Sequence, residues 1–339
     1  MRAIGRARSW QRKLKSSIRW ASYMAGQTSR LPYPDRMYIE STNFCNLNCI
    51  MCPSGRQEMR RKKGFIEFDL FKRIVDEMAP HVQVTTLHVW GEPLLHPRIF
   101  DMIAYSRKAG LRSEISTNAT LLDEEKSEQL LAAGAGGIYL CLDGVRKETY
   151  EAIRRRADFE STRANIQGFL RKKVEAGLKE PYVNLQIIEM QPTVDEVDQF
   201  KRMWSVPGVD NVNVKAFDSW ANQIDAINGL RPDEPDVPTT RCPCPNLWYH
   251  VHIYWDGTLV CCDRDFDALY PLGNVSDGVM KAWNGPTMVE LRRKHVCNQL
   301  EDVPSCRGCV EWSWWRPSVF QSHGNSPMQK TGASKKATA

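Results

Sequence analysis

The sequence has no run approaching the roughly eighteen uninterrupted apolar residues that a membrane-spanning helix needs. It also lacks the charged stretch followed by an apolar core that marks a secretory signal. These absences argue against a polytopic or exported protein and lead us to expect a cytoplasmic one with no transmembrane segment. Acidic residues are missing from the first thirty positions, where Arg2, Arg6, Arg8, Arg12, Lys13, Lys15, Arg19 and Arg30 concentrate much of the formal net charge of +6. Within that segment Trp10, Leu14, Ile18 and Ala21 recur at helical spacing, so a basic amphipathic helix is expected. Such a helix can contact a membrane surface or a nucleic acid, or act as a transit peptide. We expect it instead to pack against the main domain with its charges solvated.

What the chain does have is cysteine, eleven of them in 339 residues and most of them clustered. An odd count with Cys-x-x-Cys spacings argues against a disulfide framework and for metal ligation in a reducing compartment.

From Arg36 to about Phe217 short β-rich runs alternate with helical patterns, the signature of βα units around a parallel sheet. Strand ends are predicted at Glu40–Thr42, Val89–Trp90, Ile115–Thr117, Leu140–Leu142, Ile187–Met190 and Val214–Phe217. Helices are predicted over Asp69–Met78, Pro97–Ala109, Asp123–Ala133, Lys147–Arg155 and Val194–Trp204. The expected fold class is α/β, a partial (β/α)6 barrel of the TIM type with a small C-terminal α+β domain, and chemistry in such barrels gathers at the C-terminal strand ends. Residues 219–240, rich in Asn, Asp, Pro and Gly, break the pattern. Beyond them Asp256-Gly257 signals a hairpin, one helix is expected from about Val279 to Lys294, and the chain loses apolar content from Gln321. The expected organisation is a basic extension over 1–32, the barrel over 33–225, the small domain over 226–320 and a disordered tail over 321–339.

After the first predicted strand comes Cys45-Asn-Leu-Asn-Cys49-Ile-Met-Cys52. Three soft thiolates on one loop suit a four-iron cluster with one iron left open, whereas a structural zinc site wants a fourth ligand that this loop does not supply. Cys-x-x-x-Cys-x-x-Cys at this place resembles the hallmark of the radical S-adenosylmethionine (SAM) superfamily. The resemblance implies a [4Fe–4S] cluster held by Cys45, Cys49 and Cys52 that binds SAM and cleaves it to a 5′-deoxyadenosyl radical. It further implies cofactor contacts at successive strand ends. Gly91-Glu92-Pro93 would grip the ammonium group, with Gly91 letting the backbone approach the ligand, although Trp90 stands where the superfamily usually has glycine. Ser116, Thr117, Asn118 and Asp143 would contact the ribose or methionine portion. Met51 would lie near the adenine, and Arg154 near the ligand carboxylate or, equally, at a solvated helix position.

Cys244, Gly257, Cys262 and Cys306-x-x-Cys309 resemble the auxiliary-cluster domain known as SPASM, or twitch in its short form. The resemblance implies a second [4Fe–4S] cluster on Cys244, Cys262, Cys306 and Cys309. Cys242 and Cys261 are close enough to be alternatives, and a four-cysteine zinc site would satisfy the same spacing. Cys141 and Cys297 read as buried small hydrophobes, although Cys141 could face the cofactor. Trp312, Trp314 and Trp315 are expected to shield the second cluster.

Two clusters, SAM and a flavodoxin- or ferredoxin-type reductant are therefore expected. The segment before the first strand is short for a leader-peptide module, which favours a small-molecule substrate such as a sugar, aminocyclitol or nucleoside. A peptide substrate is the alternative. No nucleic-acid partner is expected, since no dedicated RNA-binding domain is recognisable. A non-enzymatic iron–sulfur or zinc protein would leave the strand-end motifs without a role.

Overall fold

The computed structural model describes residues 14–317; the tail expected over 321–339 and the first thirteen residues lie outside that range. Strands β1 (Arg36–Ile39), β3 (Val84–Thr86), β4 (Arg112–Thr117), β5 (Gly137–Cys141), β7 (Tyr182–Glu189) and β8 (Asn211–Ala216) lie side by side in chain order and run parallel. These are the six predicted strands, each within a few residues of its expected end. A two-residue ribbon, β2 (Asn48–Cys49) with β6 (Arg154–Arg155), lies outside the main sheet.

Period-two alternation divides each strand between two environments. Met37, Ile39, Ile115, Ile138, Leu140, Leu185 and Ile187 are buried in one apolar core. The helix Phe68–Met78 presents Phe71, Ile74, Val75 and Met78 to that core at three- and four-residue spacing. The helix Glu124–Ala133 is bounded by Asp123, whose side chain accepts from the Lys126 N–H, and by Gly134 in the left-handed conformation. The intervening strand residues, among them Tyr38, Ser116, Tyr139 and Gln186, are polar and half-buried. They line the concave side, turned away from the core.

The C-terminal region joins the same sheet. Strand β9 (His250–Ile253) pairs parallel with β1, so β1 is an interior strand, and β10 (Thr258–Val260) and β11 (Gly273–Asn274) follow antiparallel. Asp256-Gly257 makes the predicted hairpin, with Gly257 at φ +84°. The single helix expected over Val279–Lys294 is instead two, Val279–Trp283 and Pro286–Val296. Pro286 cannot continue a helix through Gly285 but is well suited to begin one. Cys297, expected to be buried, is exposed, because it caps the second of these helices at its solvent end. Sequence reading passed over the longest helix in the barrel, Phe159–Glu175.

Candidate active site and auxiliary cysteine cavity

The loop after β1 holds Cys45, Cys49 and Cys52. Cys49 is fixed by the small ribbon, in which it lies opposite Arg154, and the Cys52 N–H turns back to the Cys49 carbonyl at 3.2 Å. Burial pushes the Cys45 thiol up to about 11 and that of Cys49 to about 12, and raises Cys52 as well. A cluster binding here must therefore displace protons. Three cysteines on one loop at the C-terminal end of the first strand fit three corners of a four-iron cluster.

Glu92 is buried and accepts from the Leu94 N–H at 3.0 Å, the Thr117 hydroxyl at 2.7 Å and the Asn118 N–H at 2.8 Å. Burial raises its pKa and these three bonds oppose the rise. Glu92 thus ties the end of β4 to the turn after β3, with capacity for about one more donor. Gly91, at φ +76°, has a reason other than ligand approach. A Cβ there would stand 2.4 Å from the Thr42 carbonyl and 2.6 Å from that of Phe44, so the glycine lets the cysteine loop leave β1. Pro93 opens the short helical turn Pro93–Leu95. Asn118 donates to Asn46 at 3.0 Å and lies 4.0 Å from the Cys45 sulfur.

Arg154 is buried, which removes its reading as a solvated charge. It meets the Asp143 carboxylate at 2.7 and 2.9 Å, while the other Asp143 oxygen accepts from the Ile188 N–H at 2.8 Å. Ser116 and Cys141 approach to 3.2 Å on the concave face, where Gln186 also reaches the Cys141 sulfur at 3.4 Å. Cys141 therefore faces the barrel interior. The Met51 side chain belongs to an apolar cluster with Leu47, Trp90 and Phe217, and its carbonyl accepts from the Trp220 indole at 2.7 Å.

In the second region Cys244, Cys262, Cys306 and Cys309 line one cavity, together with Cys261, Arg264, His295 and Trp312. Cys261 lies 3.9 Å from Cys262 and remains a competent ligand. Cys242 does not line this cavity and instead interacts with Tyr23. Five thiols around one cavity suit soft-metal ligation of the iron–sulfur kind. Buried Arg264 supplies positive charge beside them, bonding Asp218 at 2.5 Å and lying 3.6 Å from Glu311. Trp312 is buried in the wall, and Trp314 is half-buried with its ring 5.4 Å from the Arg264 guanidinium.

The two cysteine regions are joined by Trp220, which sequence reading did not single out, together with Trp90. Trp220, bonded to Met51, packs on Trp90 at 4.8 Å, and the Trp90 indole donates to the Asp263 carbonyl at 3.2 Å, one residue from Cys262. Trp90 thus occupies the family's glycine position as a strut between barrel and auxiliary region. On the concave face His252 stacks on Tyr38 at 4.5 Å with both ring nitrogens unpartnered, and His88 keeps an unpartnered Nδ1. Burial lowers His252 to about 4 and His88 to about 3. Burial pushes Asp263 upward, but Arg264, His252 and Lys215 outweigh it and hold the carboxyl below its ordinary range. The residue types were visible in the sequence; their convergence depends on strand register, Tyr38 against His252.

Family models place this chain. The radical SAM superfamily model matches residues 39–191, and the SPASM iron–sulfur cluster-binding domain matches residues 242–310. The chain belongs to the radical SAM superfamily of enzymes and carries a C-terminal SPASM domain, families that imply iron–sulfur clusters and SAM binding. It is 28% identical over 176 residues to the tungsten-containing aldehyde ferredoxin oxidoreductase cofactor-modifying protein of Pyrococcus furiosus, covering 51% of this chain and 49% of that one. It is 37% identical over 129 residues to the AdoMet-dependent heme synthase of Methanosarcina barkeri, 38% of this chain and 37% of the relative. It is 31% identical over 121 residues to the PqqA peptide cyclase of Gluconobacter oxydans, 35% of this chain and 33% of the relative. The chain thus spans about half or less of these curated relatives. The crystal structure of BtrN in complex with AdoMet and 2-DOIA superposes with a TM-score of 0.57 over 82% of this chain and 94% of that one, at 14% identity, a likeness of fold. No helix among the described residues is long and apolar enough to cross a membrane.

Proposed function

We propose that this protein is a radical SAM enzyme with one cluster on Cys45, Cys49 and Cys52 and a second in the cavity of Cys244, Cys262, Cys306 and Cys309, and that it modifies a peptide in an oxidoreductase- or lyase-type reaction. The observation that carries the two-site reading is the Trp220–Trp90 strut, which sets both cysteine groups at one end of the barrel. The peptide assignment draws on the likeness to the PqqA peptide cyclase, and it replaces the small-molecule preference taken from the short N-terminal segment. With clusters and SAM bound, the superfamily's chemistry supplies a 5′-deoxyadenosyl radical that takes hydrogen from the substrate. The chain's own part is to seat that substrate on the concave face. Tyr38, His88, His252 and Lys215 offer neutral and cationic partners, Asp263, held ionised beside Arg264, offers a hydrogen-bond acceptor, and Trp90 with Trp220 keeps water from the cysteine loop.

A second reading, a small polar metabolite, is favoured by the unpartnered nitrogens of His252, which hydroxyl groups would satisfy.

The anaerobically reconstituted protein should bind about eight iron and eight sulfide and, reduced with dithionite, form 5′-deoxyadenosine from SAM. Cys52→Ala should abolish that cleavage, and Cys306→Ala should keep it while losing product formation. Zinc in place of iron, or normal product from a folded Cys306→Ala variant, would overturn the two-site reading. Saturable stimulation of cleavage by short peptides, and none by aminocyclitols or sugars, supports the peptide assignment; the reverse pattern moves it to the second reading.

A further inference from the structure

Residues 14–24 form a helix, and it docks by the side that its apolar spacing did not predict. Arg19 is buried and bonds Asp35 at 2.5 Å and the Tyr33 carbonyl at 3.4 Å. The Tyr23 hydroxyl donates to the Pro243 carbonyl at 2.8 Å, its ring meets Trp248 edge-on at 5.4 Å, and Ser22 is buried beside it. At about 100° per residue Arg19 and Tyr23 occupy one face, with Ser22 at its flank, and Leu14, Ile18 and Ala21 lie roughly opposite to Arg19 and Tyr23. The helix thus packs against the main domain, but with the Arg19 charge buried in an ion pair and not solvated. Leu14 is 47% exposed, Ile18 46% and Met24 42%, with Trp20 at the rim at 38%. The helix is held by a polar clamp and an aromatic contact, and its apolar stripe faces solvent.

We propose that this face is a membrane-docking surface, which lays the helix in the headgroup region of an anionic phospholipid bilayer. An exposed stripe of leucine, isoleucine and methionine with tryptophan at its rim and basic residues around it is the composition of an interfacial helix. Charge complementarity selects the partner. The first thirty residues carry eight basic side chains and no acidic one, so the segment is drawn to a negative surface. A nucleic acid would use the charges but has no use for Leu14, Ile18 and Met24, and a second copy of the chain would bring the same positive charge to the contact. The clamp fixes the direction of approach, because Arg19 and Tyr23 hold the stripe outward. Docking would place the protein at a membrane surface, with no helix among the described residues long and apolar enough to cross it.

The test uses the full chain with its clusters reconstituted, sedimented with vesicles of phosphatidylglycerol and phosphatidylcholine and with vesicles of phosphatidylcholine alone. The mixed vesicles should carry the protein down, and added salt should weaken the effect. Leu14→Gln with Ile18→Gln keeps the charge and removes the apolar stripe. It should lower partitioning by about tenfold per residue, while Leu178→Gln, an exposed leucine elsewhere, should not. Unchanged circular dichroism and iron content would show that the variants are folded. The proposal is overturned if wild type ignores the mixed vesicles, or if it binds them and the double variant binds as well. It is overturned equally if the double variant instead loses a gel shift of single-stranded RNA or a concentration-dependent dimer.

Discussion

Replacing Arg154 with methionine keeps an unbranched side chain of similar reach and removes its charge, leaving the Asp143 carboxylate buried without a counterion. The two groups meet at 2.7 and 2.9 Å, and both are buried. For unit charges about 4 Å apart at an effective dielectric constant near 20, the lost attraction is about 4 kcal/mol. Breaking buried pairs by removing one partner typically destabilises by about 3–5 kcal/mol. Protonation sets a ceiling, since shifting a carboxyl group from its ordinary range to neutrality at pH 7 costs about 4 kcal/mol. We expect Arg154→Met to lower unfolding stability by about 3–4 kcal/mol, read from urea denaturation of the apoprotein. Iron retention should fall with it, because Arg154 pairs directly with Cys49 in the small ribbon. Adding Asp143→Asn should restore much of the loss, because the asparagine oxygen can still accept from the Ile188 N–H. A single variant within about 1 kcal/mol of wild type and with full iron would refute the argument, since a lone buried charge cannot be that cheap.

Gly91→Ala forces a Cβ against two carbonyl oxygens at 2.4 and 2.6 Å and strains a backbone at φ +76°; it should lose the first cluster, with iron per chain falling by about half, and full iron content would refute this. His252, lowered to about 4 by burial, makes the folded protein bind fewer protons than the unfolded chain between about pH 4 and 6.5. Its contribution is therefore complete above about pH 6.5 and lost on acidification, by roughly 3 kcal/mol at pH 4. The melting temperature of His252→Gln should fall less steeply with acid than that of wild type, and parallel profiles would contradict the assignment. Trp220→Ala removes the bond to the Met51 carbonyl and the packing of this half-buried ring on Trp90, so it should destabilise by about 2 kcal/mol and change the electron paramagnetic resonance lineshape of the reduced first cluster.

Strands were legible where short β-rich runs ended in Gly, Asn or Asp, and the cysteine loops where spacing alone restricts the chemistry. Phe159–Glu175 carried a readable signal that was passed over: Asp158 caps it, and Phe159, Ile166, Phe169 and Leu170 form its buried face. The choice between Cys242 and Cys261 could not be read from spacing, because both are sequence neighbours of predicted ligands and only the fold sends one into the cavity and the other toward Tyr23. The stack of His252 on Tyr38 joins residues far apart in the chain and requires the parallel register of β9 with β1. The N-terminal helix gives the reverse lesson. Its periodicity was read correctly, but periodicity does not say which face a docked helix turns inward, and here Arg19 and Tyr23 decided it.

The pairing of β9 with β1 also bears on how this chain can be divided. Arg36, Met37, Tyr38 and Ile39 lie in register with His250, Val251, His252 and Ile253. A fragment ending before residue 250 would leave β1 as a bare sheet edge, with its hydrogen-bonding groups open to any passing strand. Such a fragment would be prone to pair with copies of itself. The barrel and the cluster-binding region are thus distinct as family units and inseparable as objects for expression.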